Sequence, residues 1–310
     1  MSFQKIKITF YSLCFLAGVM MFFSALYVSR NIAKATSAPN VESLILSLES
    51  GGSSQSEINL VESSNTDIYL SGIFSDMDGC ADIKSNGGDV QAVLYRSGVD
   101  AGIDCTVDNK NCYRASFLTD ICTLEGCDLG TETTSSFECI FPLKYYAESS
   151  DINGFENENW FGSVTVIDSD FATSTLSVST EVNSLLALEI DGAISFGQLS
   201  LGEITTGTLP ISIINTGNID IDIEINGGEM ICESGSIPVT AQRFSTLPDL
   251  TYEGMTELTT SSHHVNLNLS RQMSESILST SSLYFKIAVP VSGMGGNCVG
   301  ANNINAVINQ

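Results

Sequence analysis

Basic side chains are scarce: 12 Lys and Arg stand against 36 Asp and Glu in 310 residues, a formal net charge of -24. Lys5, Lys7, Arg30 and Lys34 precede residue 36, where no acid falls, so residues 36–310 carry 8 bases and 36 acids, or 8 − 36 = −28. A surface of that sign repels phosphate backbones and anionic headgroups, which argues against nucleic acid and against peripheral attachment to a membrane through basic patches. Any attracted partner is cationic. With 2 His and 1 Trp, there is little material for imidazole chemistry or for aromatic sugar platforms. Charged residues make up 15% of the chain and hydrophobic ones 43%, the balance of a folded chain rather than a disordered one.

One long apolar run is present. Ile8 to Val28 is free of charge and follows Lys5 and Lys7, and its 21 residues are enough to span a hydrocarbon core of about 30 Å as a helix. Two readings of residues 1–35 stand side by side. Ala33, Lys34 and Ala35 offer a small-residue cleavage site for a signal peptide, whereas the length of the run suits an uncleaved membrane anchor. Either way most of the chain is expected outside the cytoplasmic membrane, touching the bilayer only through residues 8–28.

Nine cysteines agree with that placement. Cys14 sits in the apolar run, leaving an even eight for an oxidising compartment. Cys232 and Cys298 are alone in the second half and form one pair. Among Cys80, Cys105, Cys112, Cys122, Cys127 and Cys139, the short intervals suggest local loops, Cys105–Cys112 and Cys122–Cys127, which leaves Cys80 with Cys139. A zinc site is disfavoured because no CxxC pair exists.

Beyond the leader the hydrophobic period is two. Ile219, Ile221, Ile223 and Ile225 alternate with Asp220, Asp222 and Glu224, which predicts a strand with its isoleucines on one face and its acids on the other. Val265 to Leu269 and Leu283 to Val289 alternate likewise. Ile211 to Ile214 runs through Asn215, Thr216, Gly217 and Asn218 into the isoleucine strand, a pattern that predicts a hairpin. In the first half, strands are expected at 41–48, 66–74, 90–96, 113–118, 137–142, 160–168 and 173–178, with Trp160 as core anchor. The expectation is an all-β chain of two tandem β-sandwiches, residues 36–180 and 181–310, in contact across a Ser/Thr-rich boundary and preceded by an N-terminal hydrophobic helix.

Residues 194–225 read ISFGQLSLGEITTGTLPISIINTGNIDIDIEI and resemble the Ig-like modules of the ASPM, SPD-2, Hydin type through Phe196, Gly197, Gly202, Asn215, Thr216 and Gly217. The stretch Glu158 to Thr173, with Trp160 ahead of Asp168, looks like bacterial Ig-like or polycystic-kidney-disease-type surface modules. Together these resemble uncharacterised bacterial and archaeal surface proteins. The resemblance implies Ig-like sandwiches at a cell surface and carries no catalytic residue, because the matched positions build turns.

Carboxylates are the abundant functional groups. Asp76, Asp78 and Asp82, with Asp151, Asp168 and Asp170, form the candidate calcium set, since loops at one end of a sandwich can jointly supply the six to eight oxygens that calcium takes. The competing reading is that they are solvated turn residues. Asp104, Asp108, Asn109 and Asn111 surround the Cys105–Cys112 loop, read as a stapled tip or a recognition loop. His263 and His264 are adjacent and, on a strand, point to opposite faces, away from a shared metal. No GxSxG elbow surrounds any Ser. Tyr145 and Tyr146 are the sole candidate aromatic binding patch. The function expected is a non-catalytic structural or adhesive module, secreted or membrane-anchored at the cell surface, with other surface proteins or envelope components as partners. The alternatives are a carbohydrate- or ligand-binding module, with calcium as its one candidate cofactor, and a self-associating filament or surface-layer subunit.

Overall fold

A computed structural model of the chain describes residues 37–85, 87–152 and 154–309, and Ala38–Gln310 form one compact unit. The apolar run at 8–28, Cys14 and the cleavage site lie outside the described residues. Among those residues no helix is long and apolar enough to cross a membrane.

The first half runs β1 (Asn40–Ser47), β2 (Glu57–Ile58), β3 (Asn65–Ser75), a short helix α1 (Ala81–Ser85), β4 (Asp89–Arg96) and β5 (Cys112–Ser116). It continues with β6 (Cys122–Gly126), β7 (Thr134–Lys144), β8 (Trp160–Ile167) and β9 (Thr173–Val182). Two sheets result, ordered β1-β3-β7-β6 and β2-β9-β8-β4-β5, antiparallel throughout except where the short β2 runs parallel to β9. Alternate residues of both sheets meet in one core that includes Leu46, Ile68, Leu70, Phe141, Trp160 and Val164. Trp160 is fully buried, and its indole Nε1 donates to the Glu148 carbonyl at 2.9 Å, so the polar edge of the ring is satisfied.

The second half comprises β10 (Leu188–Asp191), β11 (Leu209–Asn215), β12 (Ile221–Gly227), β13 (Met230–Ser234), β14 (Ser236–Ile237) and β15 (Gln242–Ser245). After these come β16 (Thr256–Glu257), β17 (His263–Leu269), β18 (Thr280–Ile287), β19 (Gly295–Val299) and β20 (Asn302–Ile308). Its sheets are β10-β11-β18-β15-β16, β17-β12-β20 and a small β14-β13-β19. The isoleucines at 219, 221, 223 and 225 are all buried in a second core with Ile213, Phe285 and Leu269. The fold is therefore all-β with two hydrophobic cores, and β9 carries the first of them to Val182, just beyond the expected boundary at residue 180.

Three sequence expectations need correction. The segment Asn215–Asn218 does not close a hairpin, because β11 pairs with β10 and β18 while β12 pairs with β17 and β20. The chain crosses here from one sheet to the other. Asn215 holds the crossing by donating its side-chain amide to the carbonyls of Ile219 at 2.8 Å and Ser270 at 3.1 Å. Gly217 is required because a Cβ there would run into the Leu185 carbonyl.

The second correction concerns two disulfides. The structure joins Cys80 to Cys127 and Cys122 to Cys139, alongside Cys105–Cys112 and Cys232–Cys298. Residues 122–126 are a strand rather than a loop, and five extended residues hold their ends roughly 16 Å apart, too far for Cys122 to reach Cys127. On β6, Cys122 instead lies directly across from Cys139 of β7, with Cα atoms 4.0 Å apart. Cys127, just past the strand, meets Cys80 at the start of α1.

The third correction is Asp222, which alternation places on an outer, acidic face. It is buried, because the register of β17 shifts opposite it, between Ile221 and Ile223, and folds the Asn268 backbone over its carboxylate. Its carboxylate accepts from the Asn268 backbone N–H at 2.8 Å and lies 3.6 Å from His264 Nε2.

Candidate functional site

The candidate carboxylates separate into two groups at opposite ends of the first sandwich. β3 delivers Asp76 at its end, α1 carries Asp82, and β4 begins at Asp89, which is in register with Ile167, the last residue of β8. The turn that follows β8 holds Asp168, Asp170 and Phe171, so the β3–β4 connection and the β8–β9 turn share one end. Asp151 belongs to the other end. Its Oδ2 accepts from Ser184 N at 3.0 Å and Ser184 Oγ at 2.9 Å, and Ser184 follows the far end of β9. One site built from all six carboxylates is therefore ruled out, the two ends being about 26 Å apart along an eight-residue strand.

Within the near group the roles differ. Asp168 Oδ1 accepts from the backbone N–H groups of Asp170 at 2.9 Å and Ala172 at 2.8 Å, which closes the turn. Asp82 Oδ2 accepts from Ser169 Oγ at 3.0 Å, tying α1 to that turn. The second oxygens, Asp82 Oδ1 and Asp168 Oδ2, are buried without a hydrogen-bond partner. Asp168 as a whole is 1% exposed. Asp76, also buried, accepts from Asp78 N at 3.0 Å through Oδ1. Burial pushes the Asp76 carboxyl above its ordinary range; the bond from Asp78 opposes this, and the neighbouring charges of Asp82, Asp168 and Asp78 add to it. Asp78 and Asp170 are exposed turn residues. Among the described residues no three His, Cys, Asp or Glu side chains stand together as a metal-holding group.

A second polar cluster joins the two halves, and spacing gives no hint of it. Glu148, buried just after β7, pairs with Arg96 Nη2 of β4 at 2.7 Å and with Arg271 Nη2 of the second half at 2.7 Å. Asn111 donates its side-chain amide to Glu148 at 3.0 Å. Arg96 also pairs with Glu158, and its guanidinium lies 4.0 Å from the centroid of the Phe155 ring. Burial pushes the Glu148 carboxyl up, but the Asn111 bond and the charges of Arg271 and Arg96 outweigh it and hold the group below the ordinary carboxylate range. Further ties between the halves run from Asn218 Nδ2 to the Ala147 carbonyl at 2.9 Å, from Thr216 Oγ1 to Glu62 at 2.6 Å and from Lys144 to Glu275 at 2.7 Å.

The remaining candidates resolve simply. Tyr145 and Tyr146 follow β7 in a turn. Tyr146 is buried and Tyr145 half-buried, stacked edge to face at 5.2 Å, and burial raises both phenols. They form no outward platform. Asp108 Oδ1 accepts from the N–H groups of Lys110, Asn111 and Cys112, which makes the Cys105–Cys112 loop a self-capped tip. His263 and His264 are exposed on β17. A hollow of 720 Å³ beside the small sheet is lined by Phe196, Leu199, Met230 and Met294 among others, with no titratable side chain in its wall. Another, of 300 Å³, lies between the outermost strands β10 and β20 and is lined by Ile190, Ile194, Phe196, Ile211 and Ile304.

No protein-family profile and no curated protein matches the chain. Among solved structures, latent PorU from Porphyromonas gingivalis aligns at 14% identity and a TM-score of 0.27 over 88% of this chain and 20% of that one. A chaperone-tip adhesin complex of CFA/I fimbriae aligns at 9% identity and a TM-score of 0.29 over 88% of both chains. This chain therefore spans only a fifth of the PorU chain.

Proposed function

We propose that the chain is an exported pair of Ig-like β-sandwiches serving as a structural or adhesive module at the cell surface, without catalysis of its own. The observation that carries this reading is the set of four disulfides closed within a chain that also owns two sizeable cores. Such bridges persist in oxidising compartments. In the chain-entropy account the loops of 47 and 66 residues are worth about 4 kcal/mol each. A module built this way resists unfolding and proteolysis, and its net charge keeps copies apart in dilute salt. Its partners are other surface proteins or envelope components. On intact cells of the native host, a membrane-impermeant amine reagent should label the chain's lysines. Labelling only after lysis would contradict the surface role.

A second reading, self-association, is favoured by the two free sheet edges, β10 and β20, that border the smaller hollow. Each of these strands pairs with a single neighbour, so both edges can accept a strand from a second copy. Sedimentation velocity across a hundredfold concentration range should then show growth beyond the monomer. An invariant monomer would remove this reading and leave the first intact.

A further inference from the structure

We propose, resting on the self-association reading, that β20 is a dimerisation edge at which a second copy of this chain adds its own β20, antiparallel, across a twofold axis. Each sheet ends in two edge strands, and native chains guard such edges with charges, bulges or shortness. Most edges here are guarded. Glu42, Glu57, Arg114, Glu125, Glu189 and Glu257 charge β1, β2, β5, β6, β10 and β16. β14 spans only Ser236–Ile237. β17 shifts its register against β12, and β19 does so against β13. Among the described edges β20 alone has none of these guards. Asn302–Ile308 carries no charge, and it pairs with β12 position by position, from Gly227 opposite Asn302 to Ile221 opposite Ile308, without a shift.

Charge selects the second copy as occupant. From Ile287 to Gln310 there is no Asp, Glu, Lys or Arg, in a chain with a formal net charge of -24. Pairing β20 with β20 therefore opposes no acid to another, whereas β10 paired with itself would crowd the carboxylates of Glu189 and Asp191. Every other residue of β20 turns its backbone N–H and C=O away from β12, and an antiparallel twin satisfies these groups reciprocally. Such a contact is isologous, so it closes at the dimer and does not propagate. Ile304 and Ala306 are only partly buried against the second core, and Ile308 is 51% exposed. A partner strand would cover this row and the rim of the 300 Å³ hollow that Ile304 helps to line. The Cys232–Cys298 bridge ties β19, which leads into β20, to β13, so little ordering remains to be done when the partner arrives. The acidic bodies still repel at long range. That repulsion is cut to a Debye length of about 8 Å at physiological ionic strength, so salt should favour the dimer.

Sedimentation velocity of the full chain in NaCl of about 150 mM should show monomer passing into dimer and nothing larger, with less dimer in about 10 mM NaCl. The double variant Asn303→Lys with Asn305→Lys, both exposed positions, should weaken dimerisation by about tenfold or more, because it sets like charges against each other across the new pair. It also moves the net charge toward zero, which would strengthen any diffuse association. Ile190→Lys, on β10, should leave the dimer intact. Should the double variant fail to fold, amide hydrogen exchange on the unaltered chain decides: protection of β20 should rise with protein concentration. A dimer unmoved by the double variant, growth without limit past the dimer, or β20 amides indifferent to concentration would overturn the proposal. Loss of the dimer only in the Ile190 variant would assign self-association to β10, overturning this inference while sparing the broader reading; a monomer throughout would remove both.

Discussion

Glu148 shows how one residue can matter to the whole. It is an acid in an acid-rich chain, yet it sits buried between two arginines from different halves. Its carboxyl is held below its ordinary value, so the folded state binds that proton less tightly than the unfolded chain does. The stability it contributes is fully present above the unfolded pKa of about 4.3 and is lost as pH falls through the lower folded value. Glu148→Gln should cost about 3 kcal/mol at neutral pH, the scale for removing one partner of a buried pair, and should flatten part of the acid limb of stability below about pH 4.3. Urea denaturation at pH 7, 5, 4 and 3 checks both, and a variant with an unchanged acid limb would show that the pair is not what the acid breaks. At this scale the sequence was legible where burial follows alternation, as in the isoleucines of β12. It was not legible where a long-range partner decides: nothing near Glu148 announces Arg271, which lies 123 positions away.

Among elements, strands with a clear period of two were readable and short or irregular ones were not. Seven first-half strands expected from alternation and turn residues appear close to their predicted bounds, β9 being longer by four residues at its end. β6 escaped because its five residues include Glu125 and Gly126 and carry no long alternation. That single omission misassigned two disulfides, since a segment read as a loop invites local closure while the same segment read as a strand forbids it. The Asn215–Asn218 segment misled for a different reason. Its composition is that of a hairpin turn, but its asparagines are buried and satisfy backbone groups of other segments, an arrangement in which the turn links sheets instead of adjacent strands. The candidate carboxylates were likewise found by type but grouped wrongly, because only strand direction reveals that Asp151 and Asp168 belong to opposite ends.

Residues 38–310 form one compact unit with two main cores, and ion pairs and buried amides cross the seam between the halves in place of a free linker. Covalent staples lie in both halves, three in the first and one in the second. The acidic composition and the bridged sheets fit the durable, exposed module proposed above. Everything in that account depends on the sulfurs being oxidised in the places where the strands put them. Non-reducing peptide mapping by mass spectrometry, on the full chain recovered from its native compartment, tests this most directly. The expected result is Cys80–Cys127, Cys105–Cys112, Cys122–Cys139 and Cys232–Cys298; free thiols at these eight positions, or Cys122 bridged to Cys127, would contradict it.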